Sequence, residues 1–211
     1  MAWGAFLLLC VIAAAAAVRR IIVLILPPVV ARVPEMAALD AAFAARKALT
    51  LCHILPALLF VAVLPFWFLR SVRRRPEVHR RVTFALFALG AIVGGTALPL
   101  SLHPIGGVNE ASAAILYDCL FLFSLGRAAV MYRRGDLTLH RGWMIRAIAV
   151  LLGIATTRPV MGIFFATERI THLHPQQFFG TAFWIGFTVT YIAGEAYLRA
   201  HPVDAWVAQA S

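Results

Sequence analysis

The sequence has few charged residues and few cysteines. Only 13% of its 211 residues are charged, against about 25% in an ordinary soluble domain. This composition argues against a soluble domain, and its apolar content excludes a disordered chain. Three cysteines are too few for a disulfide scaffold. Cys10, Cys52 and Cys119 fall in apolar runs and do not have the spacing of metal ligands. We interpret them as small buried residues. Nucleotide-binding loops, nucleophile elbows and His-Glu-x-x-His or Cys-x-x-Cys motifs are also missing.

Long apolar segments are the main feature that is present. Hydrophobic residues make up 62% of the chain. Most segments are close to the roughly 20 residues that cross about 30 Å of hydrocarbon as a helix. The sequence therefore predicts an all-α, polytopic transmembrane helical bundle with about six spans, forming a single membrane-embedded domain over residues 1–211. The predicted spans are 3–30, 49–69, 82–102, 112–132, 143–166 and 178–198.

The first segment is the least regular, because Arg19 and Arg20 interrupt it. The path of residues 19–47 is left open by the sequence. One interpretation ends the span near Val18 and lays residues 21–30 along the membrane surface or back into it. In the third span, Gly90 and Gly94 form a face of small residues that suits close helix contact, within the bundle or with a partner.

Positive charge concentrates in alternate loops. The net charge is +10, and residues 70–81 alone hold six arginines. Arg-rich loops at 70–81 and 133–146 predict a multi-pass protein of the bacterial inner membrane with these loops in the cytoplasm. The charges end apolar runs, so we expect them to contact membrane lipids rather than nucleic acid. Trp67 and Trp143, beside these loops, are typical of an interfacial aromatic belt.

The two Arg-rich loops resemble each other. Each contains two arginines, a turn residue, an acidic residue and then a His-Arg pair just before the next span, at His79-Arg80 and His140-Arg141. This similarity favours a hairpin repeat that relates spans 2–3 to spans 4–5 about an axis along the membrane normal.

Ionisable residues inside the spans are the candidates for function, because they are costly in a membrane. We expect Asp118 to pair with Arg158, and Glu195 with Arg127 or Arg146. Such pairs could simply hold the bundle together. The three arginines could instead clamp an anionic or polar group, such as a haem propionate or a quinone carbonyl.

Four histidines suggest a specific cofactor. A b-type haem needs two histidine ligands on facing helices. His53 and His103 could form one such pair, and His79 and His140 a second pair near the Arg-rich loops. The alternative is that each histidine is a hydrogen-bonded structural residue. No further metal site is expected beyond haem iron.

Residues 132–158 resemble a known family. The run Tyr132-Arg-Arg-Gly-Asp-Leu-Thr-Leu-His-Arg-Gly-Trp-Met-Ile-Arg146, followed by Arg158, is similar to the Arg-Gly-Asp-x-x-x-His-Arg-x-Trp-Met-Ile-Arg signature of a bacterial family of predicted integral membrane proteins of unknown function. His53, His79-Arg80 and Glu195 also match it. The resemblance implies an inner-membrane helical bundle, without implying an activity.

Three functions remain open on the sequence alone. The first is a redox protein that binds b-type haem or works with a quinone. The second is a non-enzymatic membrane subunit or assembly factor of a larger complex, with a partner membrane subunit. The third is a small transporter with a site between Asp118 and Arg158. Whether the protein is an enzyme is undecided.

Overall fold

A computed structural model describes residues 2–26 and 34–201. Side chains are described for residues 3–26 and 39–201. These residues form helices and contain no strand. The helices are α1 (Ala2–Ile25), α2 (Pro34–Ala44), α3 (Lys47–Phe68), α4 (Arg70–Arg73), α5 (Pro76–Ser101), α6 (Gly107–Arg133), α7 (Leu137–Thr171) and α8 (Pro175–Ala200).

The six long helices run up and down, and each packs against the next along the chain. Contacts of α1 with α7 and of α6 with α8 join them into one bundle. The turns at 69–75 and 134–136 lie at one end, which we call the Arg-loop end. The turns at 102–106 and 172–174 lie at the other, which we call the far end. Among the described helices, α1, α3, α5, α6 and α7 are long and apolar enough to cross a membrane. The predicted all-α membrane bundle is therefore confirmed.

Helices α5, α6, α7 and α8 are longer than the predicted spans because helical structure continues through the polar and charged residues that flank each apolar run. Helix α7 has 35 residues, whereas its predicted span has 24. Helix α8 covers the sixth predicted span but is not among the five helices that are long and apolar enough to cross, so its crossing of the membrane stays a prediction. Local signals set several helix starts: Pro76 and Pro175 begin α5 and α8, and the Asp136 carboxylate caps α7 by accepting from Leu139 N at 2.9 Å.

The interpretation that ends the first span near Val18 does not hold. Helix α1 continues through Arg19 and Arg20 to Ile25, because both guanidinium groups find the same carboxylate, Asp40 of α2. The Arg19 bond measures 3.0 Å. This shared ion pair removes the reason to end the helix at Val18. Residues 27–30 of the predicted first span lie outside the described residues.

Glycines allow the closest helix contacts. A methyl group at Gly90 would lie 2.7 Å from Leu125, and one at Gly94 would overlap Leu122. The face formed by Gly90 and Gly94 therefore packs on α6 within the bundle, which removes it as a docking surface for a partner. Helices α7 and α8 approach in the same way, because Gly186 lies against the backbone of Thr157.

Two predictions about apolar residues need correction. Trp67 is only 1% exposed, so it is a core residue and does not belong to an interfacial belt. Cys10 is buried as predicted, but Cys52 and Cys119 are exposed on the bundle surface. A membrane helix is apolar on its lipid-facing side as well as its core side, so an apolar run does not predict burial.

Candidate functional site: a histidine pair and a charged cavity

Polar side chains inside the bundle collect in two places. The first, which we call the histidine pair, consists of His79 and His140 at the Arg-loop end. Both imidazole rings lie 6.0 Å, between ring centroids, from the indole of Trp67. The two rings also lie within electrostatic range of each other. The fold therefore brings together two histidines that are 61 positions apart in the sequence.

Equivalent positions in two helices present these rings. His79 is the fourth residue of α5, and His140 is the fourth residue of α7. Each backbone N–H donates to the residue that precedes its helix, Arg75 or Asp136, at 3.0 Å. The similarity of the two Arg-rich loops thus corresponds to a similarity in how each loop begins a helix and places a histidine.

Hydrogen bonding defines the orientation of the His140 ring. Its Nδ1 lies 3.0 Å from the carbonyl oxygen of Ala128. A carbonyl only accepts, so Nδ1 carries the proton and donates. In the neutral ring, Nε2 then has a free lone pair. His140 is 3% exposed, and its ring packs edge-on near Phe87 and Tyr132.

Three ring nitrogens at this place are buried and have no hydrogen-bond partner: His79 Nε2, His140 Nε2 and Trp67 Nε1. Buried polar atoms in folded proteins nearly always have a partner, so three such nitrogens on neighbouring rings need an explanation. Positive charge is also close, because Arg73 acts electrostatically on His79 and Arg141 on Arg73. The site combines unpaired ring nitrogens with adjacent cations.

The second place is a cavity of about 540 Å³ towards the far end. Its walls are mainly apolar and come from α1, α2, α3, α5, α6, α7 and α8. Four arginines line it together with two carboxylates. The ionisable lining residues in the described part of the chain are Arg19, Arg20, Arg46, His53, His103, Glu110, Tyr117, Asp118 and Arg158. We call it the far-end cavity.

His53 and His103 both line the far-end cavity but differ in their surroundings. His53 is half-buried, and its Nδ1 lies 3.1 Å from both the Val93 carbonyl and Thr96 Oγ1. His103 is exposed in the turn after α5, and its Nδ1 lies 3.1 Å from the Pro99 carbonyl. The expected pairing of these two histidines around a haem stays a prediction.

The expected ion pair between Asp118 and Arg158 is absent among the described residues. Asp118 Oδ2 is buried without a hydrogen-bond partner. The side-chain contact of Arg158 is a 3.9 Å approach of Nη1 to Met161 Sδ. The charges that act on Arg158 are those of Arg20 and Arg19, which are also positive. Similar depth in the membrane did not ensure pairing, because the far-end cavity separates the two groups.

The second expected pair is present. Arg146 Nε lies 2.5 Å from Glu195 Oε1, and Nη2 lies 3.1 Å from Oε2, which is a bidentate arrangement. The Arg146 guanidinium also lies over the ring of Trp143, 4.9 Å from its centroid. Arg127, the other candidate, lies over the same ring at 5.6 Å and is exposed. Both arginines therefore have structural contacts of their own.

Sequence reasoning missed two parts of these sites. Trp67 lies beside both rings of the histidine pair, although its position next to the Arg-rich loop predicted a place at the membrane interface. Asp40 binds both arginines of α1, and its signal was its own charge in a run otherwise apolar from Met36 to Ala45. Among the described residues, no group of three His, Cys, Asp or Glu side chains could hold a metal ion.

Comparison with known proteins then supplies the family. A family model described as "Predicted membrane protein (DUF2306)" matches residues 50–197. This match covers more than half of the chain. The chain belongs to the DUF2306 family. The matched region contains the histidine pair and most walls of the far-end cavity, while α1 and α2 lie outside it. The DUF2306 family has no established function, and neither the curated proteins nor the solved structures give a match to this chain.

Proposed function

We propose that this DUF2306 protein is a redox protein of the bacterial inner membrane that holds a b-type haem between His79 and His140. The observation that carries the proposal is the pair of buried Nε2 atoms that have no partner. In this proposal the Arg-loop end faces the cytoplasm, as the positive-inside rule favours.

The chemistry of a bis-histidine haem site matches these two residues. Each ligand must offer an unprotonated ring nitrogen to the iron. In His140 the Ala128 carbonyl holds the proton on Nδ1, which is the outer-shell hydrogen bond that usually orients a metal-ligating histidine. The Nε2 atom is then the one available for ligation. His79, at the equivalent position near the start of α5, would supply the second ring.

The surroundings of the pair also suit a haem. Trp67, Phe87 and Tyr132 form aromatic walls around His140, and such walls pack against a flat macrocycle. Haem propionates are anionic, and Arg73 and Arg141 supply positive charge beside the pair. Arg127 and Arg146 stack on Trp143, and Arg146 also binds Glu195.

A single haem is proposed because the other histidine pair is less suited. His103 is exposed in a turn, whereas both rings of the proposed pair have a buried Nε2. A low-spin haem would make the protein an electron carrier, and the haem would supply the one-electron chemistry. A quinone is the expected class of electron partner within a membrane.

The test is an absorption spectrum of the full chain, expressed with ample haem and purified in detergent, before and after reduction with dithionite. We expect a Soret band that shifts on reduction, with sharp α and β bands. His79→Ala and His140→Ala should each abolish the low-spin spectrum, because either change removes one axial ligand. His172→Ala is the matched control, since His172 lies in the far-end turn.

A featureless spectrum from the wild-type protein would overturn the proposal and favour a non-enzymatic membrane subunit. A normal spectrum that is lost in His53→Ala and kept in His140→Ala would place the haem at the far-end cavity instead. Circular dichroism of each variant checks that the helices remain folded, so that a lost spectrum reports on ligation.

A further inference from the structure

We propose that the far-end cavity binds an amphipathic anion, a molecule with a phosphate or carboxylate head and an aliphatic chain. The observation is an apolar cavity of about 540 Å³ whose ionisable groups include more cations than carboxylates. This inference concerns a different place from the histidine pair, and it stands whether or not a haem binds there.

The first step concerns charge. Arginine stays protonated at every physiological pH, so Arg19, Arg20, Arg46 and Arg158 carry four positive charges. The carboxylates that face them are Glu110 and Asp118 in the wall and Asp40 beside it. Among the residues whose side chains the structure describes, the cations therefore outnumber the acidic groups even if all three are ionised. A charge inside a membrane bundle is costly without a partner, and an anionic ligand would supply it.

Arg158 is the centre of this excess charge. Asp40 already binds both Arg19 and Arg20, and no carboxylate in the described residues lies within ion-pair distance of Arg158. Arg19 and Arg20 add to the positive potential at Arg158. A guanidinium presents five N–H donors in a planar fork that matches the oxygens of a carboxylate or phosphate. We infer that the ligand head contacts Arg158, with Arg20 as its nearest cationic neighbour.

Neither acidic residue of the cavity wall occupies the position beside Arg158 where an anion would bind. Glu110 Oε2 accepts backbone N–H groups of Ile105 at 2.7 Å and Gly106 at 2.5 Å, so its carboxylate is held at the turn after α5. Asp118 lies on α6, and its carboxylate forms no ion pair with Arg158. The head is therefore expected on the Arg158 side of the cavity, away from Asp118.

The remaining walls suit a hydrocarbon chain. Ala57, Val61, Phe121 and Val150 line the part of the cavity that extends towards the middle of the bundle. The volume lies within the roughly 300–1,000 Å³ of small-molecule sites. The geometry therefore favours a fatty acid or an anionic phospholipid over a free phosphate ion.

The experiment measures binding of radiolabelled oleate to the full chain in a neutral detergent, with three competitors. We expect saturable binding of one oleate per chain. Dioleoyl phosphatidic acid should displace it, whereas oleyl alcohol and inorganic phosphate should not. The relative strength of oleate and phosphatidic acid tells whether the natural head is a carboxylate or a phosphate. Oleyl alcohol that competes as well as oleate would overturn the proposal, as would displacement by inorganic phosphate alone.

Substitutions at Arg158 test the contact itself. Arg158→Gln should weaken oleate binding about tenfold or more, and Arg158→Lys should weaken it less, because a lysine keeps the charge but loses the fork. Arg169→Gln is the matched control, an arginine near the end of the same helix that does not line the cavity. Ala57→Leu, which leaves the charges unchanged and fills the cavity, should also weaken binding. Unchanged affinity in Arg158→Gln would overturn the proposal, and this outcome is independent of any haem spectrum.

Discussion

At the Arg-loop end, polar rings are enclosed by aromatic side chains, whereas at the far end four arginines border open space. Both regions contain polar atoms without partners, but the kinds of atom differ. The histidine pair has uncharged ring nitrogens in a packed environment, and the far-end cavity has a guanidinium without a carboxylate.

The difference is the basis of the two proposals above. Packed rings with free lone pairs suit a ligand that makes short bonds to nitrogen, which is the chemistry of iron. A wide cavity with excess positive charge suits a molecule that brings its own volume and negative charge. Under these proposals, one bundle would hold two sites with opposite requirements, separated along the same helices α3, α5, α6 and α7.

The largest loss of stability should come from Gly186→Ala, which tests whether α7 and α8 are tightly packed beside the far-end cavity. The added methyl group would lie 2.7 Å from Thr157 N and 2.9 Å from its Cα. Backbone atoms cannot rotate away, so α7 and α8 must separate, and we expect a loss of about 1–3 kcal/mol in the free energy of unfolding.

Thermal unfolding in detergent measures this loss. Gly95→Ala is the control, because nothing lies within 4 Å of the added methyl group there. That variant should be neutral or slightly more stable, since alanine favours a helix over glycine by about 0.5–1 kcal/mol. Equal stability of the two variants would show that α7 and α8 can repack without cost.

A smaller effect should follow from Glu195→Gln, which leaves Arg146 without its carboxylate. The pair is bidentate, and its side chains are only 28% and 25% exposed. We expect a loss of about 1–2 kcal/mol, because the roughly 1.5–3 kcal/mol of a hydrogen bond to a charged group is reduced where both side chains are partly exposed to solvent. Chemical unfolding monitored by the tryptophan fluorescence of the protein measures it.

The exposed pair of Glu77 and Arg80 provides the control for that variant. Its side chains are 68% and 58% exposed, and such pairs contribute little to stability. Glu77→Gln should therefore change the free energy of unfolding by less than about 0.5 kcal/mol. If both variants lose the same stability, the pair on α7 and α8 has no special structural role.

The smallest effect, and one of opposite sign, should come from Arg158→Met measured without added ligand. Removing a cation that lacks a carboxylate relieves its desolvation cost, so stability should stay the same or rise by up to about 1 kcal/mol. The comparison with Glu195→Gln separates a charge that holds the fold from one kept for a ligand. A loss as large as that of Glu195→Gln would assign Arg158 to the fold.

The sequence predicted the long helices well because hydrocarbon imposes both their length and their composition. The short helices α2 and α4 were not predicted, since neither has an apolar run long enough to stand out. The suggested end of the first span near Val18 was wrong for a different reason. The partner of Arg19 and Arg20 is Asp40, which lies about 20 residues away, and no local pattern reveals such a contact.

The candidate sites were predicted in part. Depth along the helices correctly brought Glu195 near Arg146, because α7 and α8 are antiparallel neighbours in direct contact. The same reasoning failed for Asp118 and Arg158, because depth says nothing about which way each side chain points or about the cavity between them. The role of Trp67 was also hidden, since a tryptophan near an interface can face either lipid or core.

The length of α7 has a consequence for the surfaces that meet water. At 1.5 Å per residue, its 35 residues extend about 52 Å, and about 30 Å of hydrocarbon covers only part of that. A tilt of about 20° changes this very little. At least one end of α7 must therefore extend as a helix beyond the acyl chains. Its last turns, which carry Glu168 and Arg169, would be reached by water-soluble reagents from one face of the membrane only.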